Sequence, residues 1–171
     1  MALKTANWIG TGGSDLVARP GHRDWLKGQA GDLIAFFQKT ALNPAGGFWI
    51  GTMSRRGDAD VGAGAVYQYR SGQLELLFDR VTIPNSICFS PDGGTAYFTD
   101  TPTRQILKRA IDPATGLPVG NWQLFAEIDR GYPDGSVVDS EGFLWNARWE
   151  GFCVVRHAPD GSVDRVIEVP T

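Results

Sequence analysis

The chain has 171 residues, of which 42% are hydrophobic and 20% charged, with 16 Lys and Arg set against 19 Asp and Glu for a net charge of -3. This apolar content can fill the core of roughly one domain, which excludes wholesale disorder. A mild negative balance without a Lys/Arg cluster gives no electrostatic reason for a nucleic-acid or anionic-membrane partner, and neither is expected.

The N-terminal stretch Met1 to Gly10 carries one Lys and no apolar run of signal-peptide length. The longest uninterrupted apolar run, Leu33 to Phe37, falls far short of the roughly 20 residues a membrane-spanning helix needs. The expectation is a soluble, cytoplasmic protein. Trp25, Leu26, Leu33, Ile34 and Phe37 give a weak helical period, which predicts a helix over His22 to Thr40. Gly28 and Gly31 interrupt it, at a cost of about 1 kcal/mol each in a helix interior. Residues 1–42 therefore read as an atypical N-terminal segment and residues 43–171 as the organised domain.

From Asn43 onward the chain repeats. Asn43-Pro-Ala-Gly-Gly-Phe-Trp-Ile-Gly-Thr52, Ser90-Pro-Asp-Gly-Gly-Thr-Ala-Tyr-Phe-Thr-Asp100 and Asp139-Ser-Glu-Gly-Phe-Leu-Trp-Asn-Ala147 each place a turn before an aromatic-rich strand. Their turn glycines, Gly46, Gly93 and Gly142, are 47 and 49 residues apart. A hairpin pattern follows each: Ala65–Tyr69 to Leu74–Phe78, Ile106–Ile111 to Trp122–Ile128, and Cys153–Arg156 to Val163–Glu168. A period of roughly 45 to 50 residues with about four strands is one β-propeller blade. The predicted fold class is all-β, a partial propeller of about three blades, where closed propellers use about four to eight. An open stack exposes blade edges, which favours self-association.

Asn85 lies eight residues before Gly93 and Asp134 eight before Gly142, the same phase of adjacent repeats. If that phase starts the innermost strand, both side chains project into the central channel, where their oxygens suit a hard divalent cation such as calcium or magnesium. The alternative is that Pro84-Asn85 and Pro133-Asp134-Gly135 are ordinary turns whose side chains bond their own backbone. Gln38 occupies this phase in the first repeat and would be a polar, channel-facing residue. Asp100 would line the same mouth or sit exposed in a turn. Arg148, between Trp145 and Trp149, would meet an anionic or polyhydroxylated ligand or stack facing solvent. His157 reads as a surface side chain, Asp58 and Asp60 as parts of a flexible Gly-rich loop, and Cys88 and Cys153 as reduced core thiols, a disulfide or reactive thiol being the alternative. The sequence contains no Gly-x-Ser-x-Gly elbow, His-Glu-x-x-His or P-loop.

Gly47-Phe-Trp-Ile-Gly-Thr-Met53, Ile83-Pro-Asn-Ser-Ile-Cys-Phe-Ser-Pro-Asp-Gly93, Tyr97-Phe-Thr-Asp-Thr-Pro-Thr103 and Pro133-Asp-Gly-Ser-Val-Val-Asp139 together resemble the SMP-30/gluconolactonase/regucalcin-like family. Glu141-Gly-Phe-Leu-Trp-Asn-Ala-Arg-Trp149 extends the resemblance to its bacterial sugar-lactonase branch. The resemblance implies a six-bladed propeller that holds one divalent metal ion (Ca, Zn, Mn or Mg) in its channel and hydrolyses sugar lactones such as gluconolactone or arabinolactone. It makes Asn85 a metal ligand, and Asp134 both a metal ligand and the catalytic general base. Arg148, Asp100 and Gln38 are the candidate substrate-binding residues. Two departures stand out: no Glu-Gly-Pro motif occurs in residues 1–42, and the family's Arg-x-Asn-Asp-Gly segment falls on Phe36 to Thr40, with Phe36 at the Arg position and Gln38 at the Asn position. Family members continue for about two more blades beyond Thr171, so the expectation is about half of a larger enzyme, with impaired activity. The alternatives are a non-catalytic propeller fragment and a calcium-binding, regucalcin-like protein.

Overall fold

A computed structural model describes residues 36–170, with side chains from Ala41 onward. The described residues form three four-stranded antiparallel meanders. The first holds β1 (Phe36–Leu42), β2 (Phe48–Met53), β3 (Gly64–Arg70) and β4 (Gln73–Val81). The second holds β5 (Pro84–Phe89), β6 (Thr95–Asp100), β7 (Gln105–Ile111) and β8 (Pro118–Glu127), and the third β9 (Tyr132–Val138), β10 (Leu144–Trp149), β11 (Cys153–His157) and β12 (Val163–Glu168). Spatial order follows chain order in every sheet, and β5 packs against both β1 and β9. Successive sheets are therefore stacked around their first strands, as the blades of a propeller are.

The turn between the first and second strands explains the repeat. Asn43, Ser90 and Asp139 each open it, and a side-chain oxygen of each accepts a backbone N–H four or five residues on: Asn43 Oδ1 from Gly47 (2.8 Å), Ser90 Oγ from Thr95 (2.9 Å) and Asp139 Oδ1 from Phe143 (3.0 Å). Gly46, Gly93 and Gly142 close it at φ of 80°, 73° and 83°, a region that costs any residue with a Cβ.

One predicted element is corrected. Phe36 to Thr40, the end of the expected helix, are strand: Phe36 pairs with Met53 and Leu42 with Phe48 in β1–β2. Pairing with β2 supplies sheet packing, and tertiary context outweighs the weak local propensity of a glycine-interrupted helical pattern. The rest of that predicted helix lies outside the described residues.

Two cores weld the blades. Between the first and second sheets, Trp49, Val66, Val81, Ile87, Ala96, Phe98 and Ile111 are buried, and Phe78, Phe89 and Trp122 pack around them. Trp49 meets Phe89 edge-on at 5.2 Å, while its indole N–H donates to Gln68 Oε1 at 3.1 Å, so the ring is buried without stranding its polar atom. Cys88, Tyr97, Ile106, Phe125, Ala126, Ile128 and Leu144 fill the gap between the second and third sheets. Cys88 and Cys153 are both buried thiols, as their apolar setting predicts. On the third sheet Val137, Trp149, Phe152 and Ile167 are exposed, and every residue of β12 is exposed. Asp60, in the Gly-rich loop, is ion-paired with Arg56 and hydrogen-bonded by Ser54. No helix among the described residues is long and apolar enough to cross a membrane.

Candidate active site

Asn85 is the second residue of β5 and Asp134 the third of β9, so the shared repeat phase does place both at the start of the first strand of their sheets. The strands reach this point irregularly. The β5–β6 register shifts between Asn85 and Cys88, Ser86 sits at a φ of 54°, and the β9–β10 register shifts between Asn146 and Arg148. A non-glycine residue in the left-handed region costs about 1–3 kcal/mol and persists only where its surroundings hold it. Here they do. Ser86 is fully buried, its hydroxyl donates to the Asp134 carbonyl (2.7 Å), and its oxygen accepts from Ser136 Oγ (2.9 Å) and Asn146 Nδ2 (3.1 Å).

Asn85 is 4% exposed. Its Nδ2 donates to Thr101 Oγ1 at 2.9 Å, and Thr101 Oγ1 lies 3.0 Å from the Pro133 carbonyl, one residue before Asp134. Asn85 Oδ1 is buried and has no protein partner. A buried carbonyl oxygen without a donor is costly, and a cation is one group that would satisfy it. The Asp134 side chain is half-buried. An amide oxygen and a carboxylate are hard donors of the kind calcium, magnesium or manganese accept, so the residues present fit a divalent cation as two of its ligands. Among the described residues no group of three or more His, Cys, Asp or Glu converges.

The other sequence candidates fall elsewhere. Asp100 ends β6, and its two carboxylate oxygens accept the backbone N–H groups of Thr82 (2.9 Å) and Ile83 (2.7 Å). Both oxygens are thus engaged in pinning the connection that leads into Asn85, so Asp100 is not the exposed turn residue of the alternative reading. Gln38 lies where the β1–β2 register shifts, and its side chain is outside the described ones. Arg148 is 7% exposed, which overturns the solvent-facing stack between Trp145 and Trp149. Period-two alternation turns Leu144, Asn146 and Arg148 toward the second sheet, and Arg148 Nη2 meets His157 Nε2 at 2.7 Å. His157, read as a surface side chain, is 1% exposed for the same reason, on the inward phase of β11 with Cys153 and Val155. Burial pulls the pKa of both groups down.

Ser86, Thr101, Ser136 and Asn146 escaped sequence reasoning. Asn146 carried a usable signal, a polar residue on the inward phase of its strand between Leu144 and Arg148. The others depend on the neighbouring blade. On the third sheet Asp139 also accepts from the Trp145 indole (2.8 Å) and pairs with Arg156 (2.8 Å). Burial opposes its charge, but these bonds and the amides of Phe143 and Glu141 hold its carboxyl at about 2. A cavity of about 670 Å³ lies along the other halves of β5 and β9, lined by Ile87, Phe89, Val137 and Trp145 among others. Neither Asn85 nor Asp134 lines it, although Gly135 and Ser136, next to Asp134 in β9, do.

Stacked four-stranded meanders with hard oxygen donors at the starts of two neighbouring first strands define a partial β-propeller with a candidate cation site. The chain belongs to the SMP-30/gluconolactonase/LRE-like family, whose model matches residues 36–171. It is 37% identical over 134 residues to an L-arabinolactonase of Azospirillum brasilense, covering 74% of this chain and 43% of that one. A pentonolactonase of Haloferax volcanii is 36% identical over 138 residues, with 79% of this chain and 46% of that one covered. Among solved structures, a calcium-binding protein, regucalcin, from Agrobacterium tumefaciens superposes with a TM-score of 0.73 at 44% identity over 77% of this chain and 45% of its own. The chain thus spans a little under half the length of the relatives it matches.

Proposed function

We propose that this chain carries part of the active site of a metal-dependent lactonase that opens sugar lactones of the gluconolactone or arabinolactone kind. The observation that carries the proposal is the buried, unpartnered Oδ1 of Asn85 on the strand beside the one that bears Asp134. Asn85 Oδ1 and the Asp134 carboxylate are the residues that would hold the cation, whether calcium, zinc, manganese or magnesium. A divalent cation held there supplies polarisation of the lactone carbonyl and stabilises the charge that develops on its oxygen. Asp134 takes the proton from the attacking water as general base. Water adds to the carbonyl carbon, the ring C–O bond breaks, the ring oxygen leaves as a hydroxyl, and the product is an aldonic acid. Ser86 holds the Asp134 backbone in place for this role through its 2.7 Å bond to the carbonyl. Arg148, Asp100 and Gln38 remain candidates for substrate binding, Arg148 with a buried guanidinium whose Nε and Nη1 have no partners and Asp100 with oxygens that also accept backbone N–H groups. The two buried thiols suit a reducing compartment, and we place the protein in the cytoplasm.

Likeness to the Agrobacterium regucalcin favours a second reading, calcium binding without turnover. Both are tested by adding calcium, zinc, manganese or magnesium to the purified chain while following thermal unfolding and hydrolysis of gluconolactone and arabinolactone. Metal-dependent hydrolysis lost in Asp134→Asn, with the fold retained, supports the lactonase. A metal-raised unfolding temperature without hydrolysis supports the second reading. No response to any of the four cations removes both and leaves a non-catalytic propeller fragment.

A further inference from the structure

Thr101 touches both strands of the candidate site, and its proton count fixes how. A hydroxyl carries one proton and two acceptor lone pairs, whereas a backbone carbonyl only accepts. Thr101 Oγ1 lies 3.0 Å from the Pro133 carbonyl, so its single proton points there. Toward Asn85, 2.9 Å away, the same oxygen can then only accept. The Asn85 atom that faces it must be the NH2 group, because a carbonyl oxygen turned that way would meet an oxygen with no proton between them. The amide oxygen is consequently turned to the other side, where it lies buried and unpartnered. Thr101 sits in the turn Thr101–Thr103 directly after β6.

We propose that Thr101 is a positioning residue that orients the Asn85 amide, presenting Oδ1 rather than Nδ2 to a divalent cation, and ties that orientation to the strand carrying Asp134. The proposal rests on the metal-site reading of Asn85 and Asp134. It assigns Thr101 no contact with cation or substrate. The hydroxyl acts by forbidding the other amide rotamer, in which an NH2 group would face the positive charge.

The test is calcium and manganese titration of the purified chain, followed by calorimetry, for the wild type, Thr101→Val, Thr101→Ser, Asn85→Asp and the double variant Thr101→Val/Asn85→Asp. Valine keeps the β-branched shape and removes the hydroxyl, and near-ultraviolet circular dichroism checks that the fold is kept. Affinity is expected to fall by about tenfold or more in Thr101→Val, where amide orientation is no longer enforced, and to stay within about twofold of wild type in Thr101→Ser. A carboxylate has two equivalent oxygens and needs no orienting, so Asn85→Asp should restore much of the lost affinity in the valine background. Because the added charge raises affinity in any background, the single variant Asn85→Asp is the reference. Against it Thr101→Val should cost less than about twofold, whereas a merely structural role would cost the same factor in both backgrounds. Wild-type affinity in Thr101→Val, or the same factor lost in both backgrounds, overturns the proposal. If the wild type itself binds neither ion, the metal-site reading fails, and the Asn85 side-chain amide resonances decide the role of Thr101 separately. Their shift and faster solvent exchange in Thr101→Val uphold the orientation, and unchanged resonances overturn it.

Discussion

His157 and Arg148 meet at 2.7 Å in a buried setting, and the imidazole has room for one proton only. Its Nδ1 donates to the Gly161 carbonyl at 3.0 Å, which leaves Nε2 as the acceptor for Arg148. Burial, and then the neighbouring guanidinium, hold the His157 pKa below its ordinary 6.5, against the opposing pull of the Gly161 carbonyl and Asp129. The fold therefore prefers neutral histidine, while the unfolded chain takes up a proton as pH drops past about 6.5. Stability is unaffected above that value, falls as pH drops below it, and levels off once the folded-state pKa is passed. Urea unfolding at pH 7.5, 6.5 and 5.5 should show a falling midpoint, with a visibly flatter trend in His157→Gln. An equally steep trend in that variant would place the titrating group elsewhere. The Nε and Nη1 of Arg148 are buried as well, without hydrogen-bond partners.

At the scale of strands and turns, the aromatic wedge of β2 is the most heavily committed part of the first blade. Trp49 fills the gap to the second sheet and bonds Gln68, so Trp49→Ala should cost about 3–5 kcal/mol in chemical denaturation. A loss below about 1 kcal/mol would mean that the two sheets are not welded there. This wedge was legible in the sequence, as were the turns before it, because a capping oxygen, a left-handed glycine and an aromatic strand are local signals. Strand β9 was harder. Tyr132-Pro-Asp-Gly-Ser136 reads as a turn, since Pro and Gly are depleted in strands, yet the chain extends there because β9 is an edge strand of its own sheet and needs only one set of ladder bonds. The positions of Asn85 and Asp134 followed from repeat phase alone. The bonds that shape their surroundings did not, because Ser86 and Thr101 find their partners on the next blade. The solvent-facing alternative for Arg148 and the surface reading of His157 were misjudged, although strict alternation with Leu144 and Cys153 marked both as inward.

Across the described residues, burial rises from the outer strand β12 to the first two strands of the second sheet, β5 and β6. Every residue of β12 is exposed, whereas Ala96 to Thr99 of β6 are buried between two neighbouring sheets. Native-state hydrogen exchange should follow that gradient, with β12 amides exchanging first and those of β6 last. Uniform protection across the three sheets would contradict it. The seam between the second and third sheets has a further consequence. Ser86 and Thr101 on one side, and the carbonyls of Pro133 and Asp134 with Asn146 on the other, both shape the site and join the blades. A ligand that recognises only this assembled arrangement acts as a rivet. At a hundredfold excess over its dissociation constant it would add about 2.7 kcal/mol to the assembled state. Occupancy should then register as slower separation of two blades, at amides well away from the atoms the ligand touches.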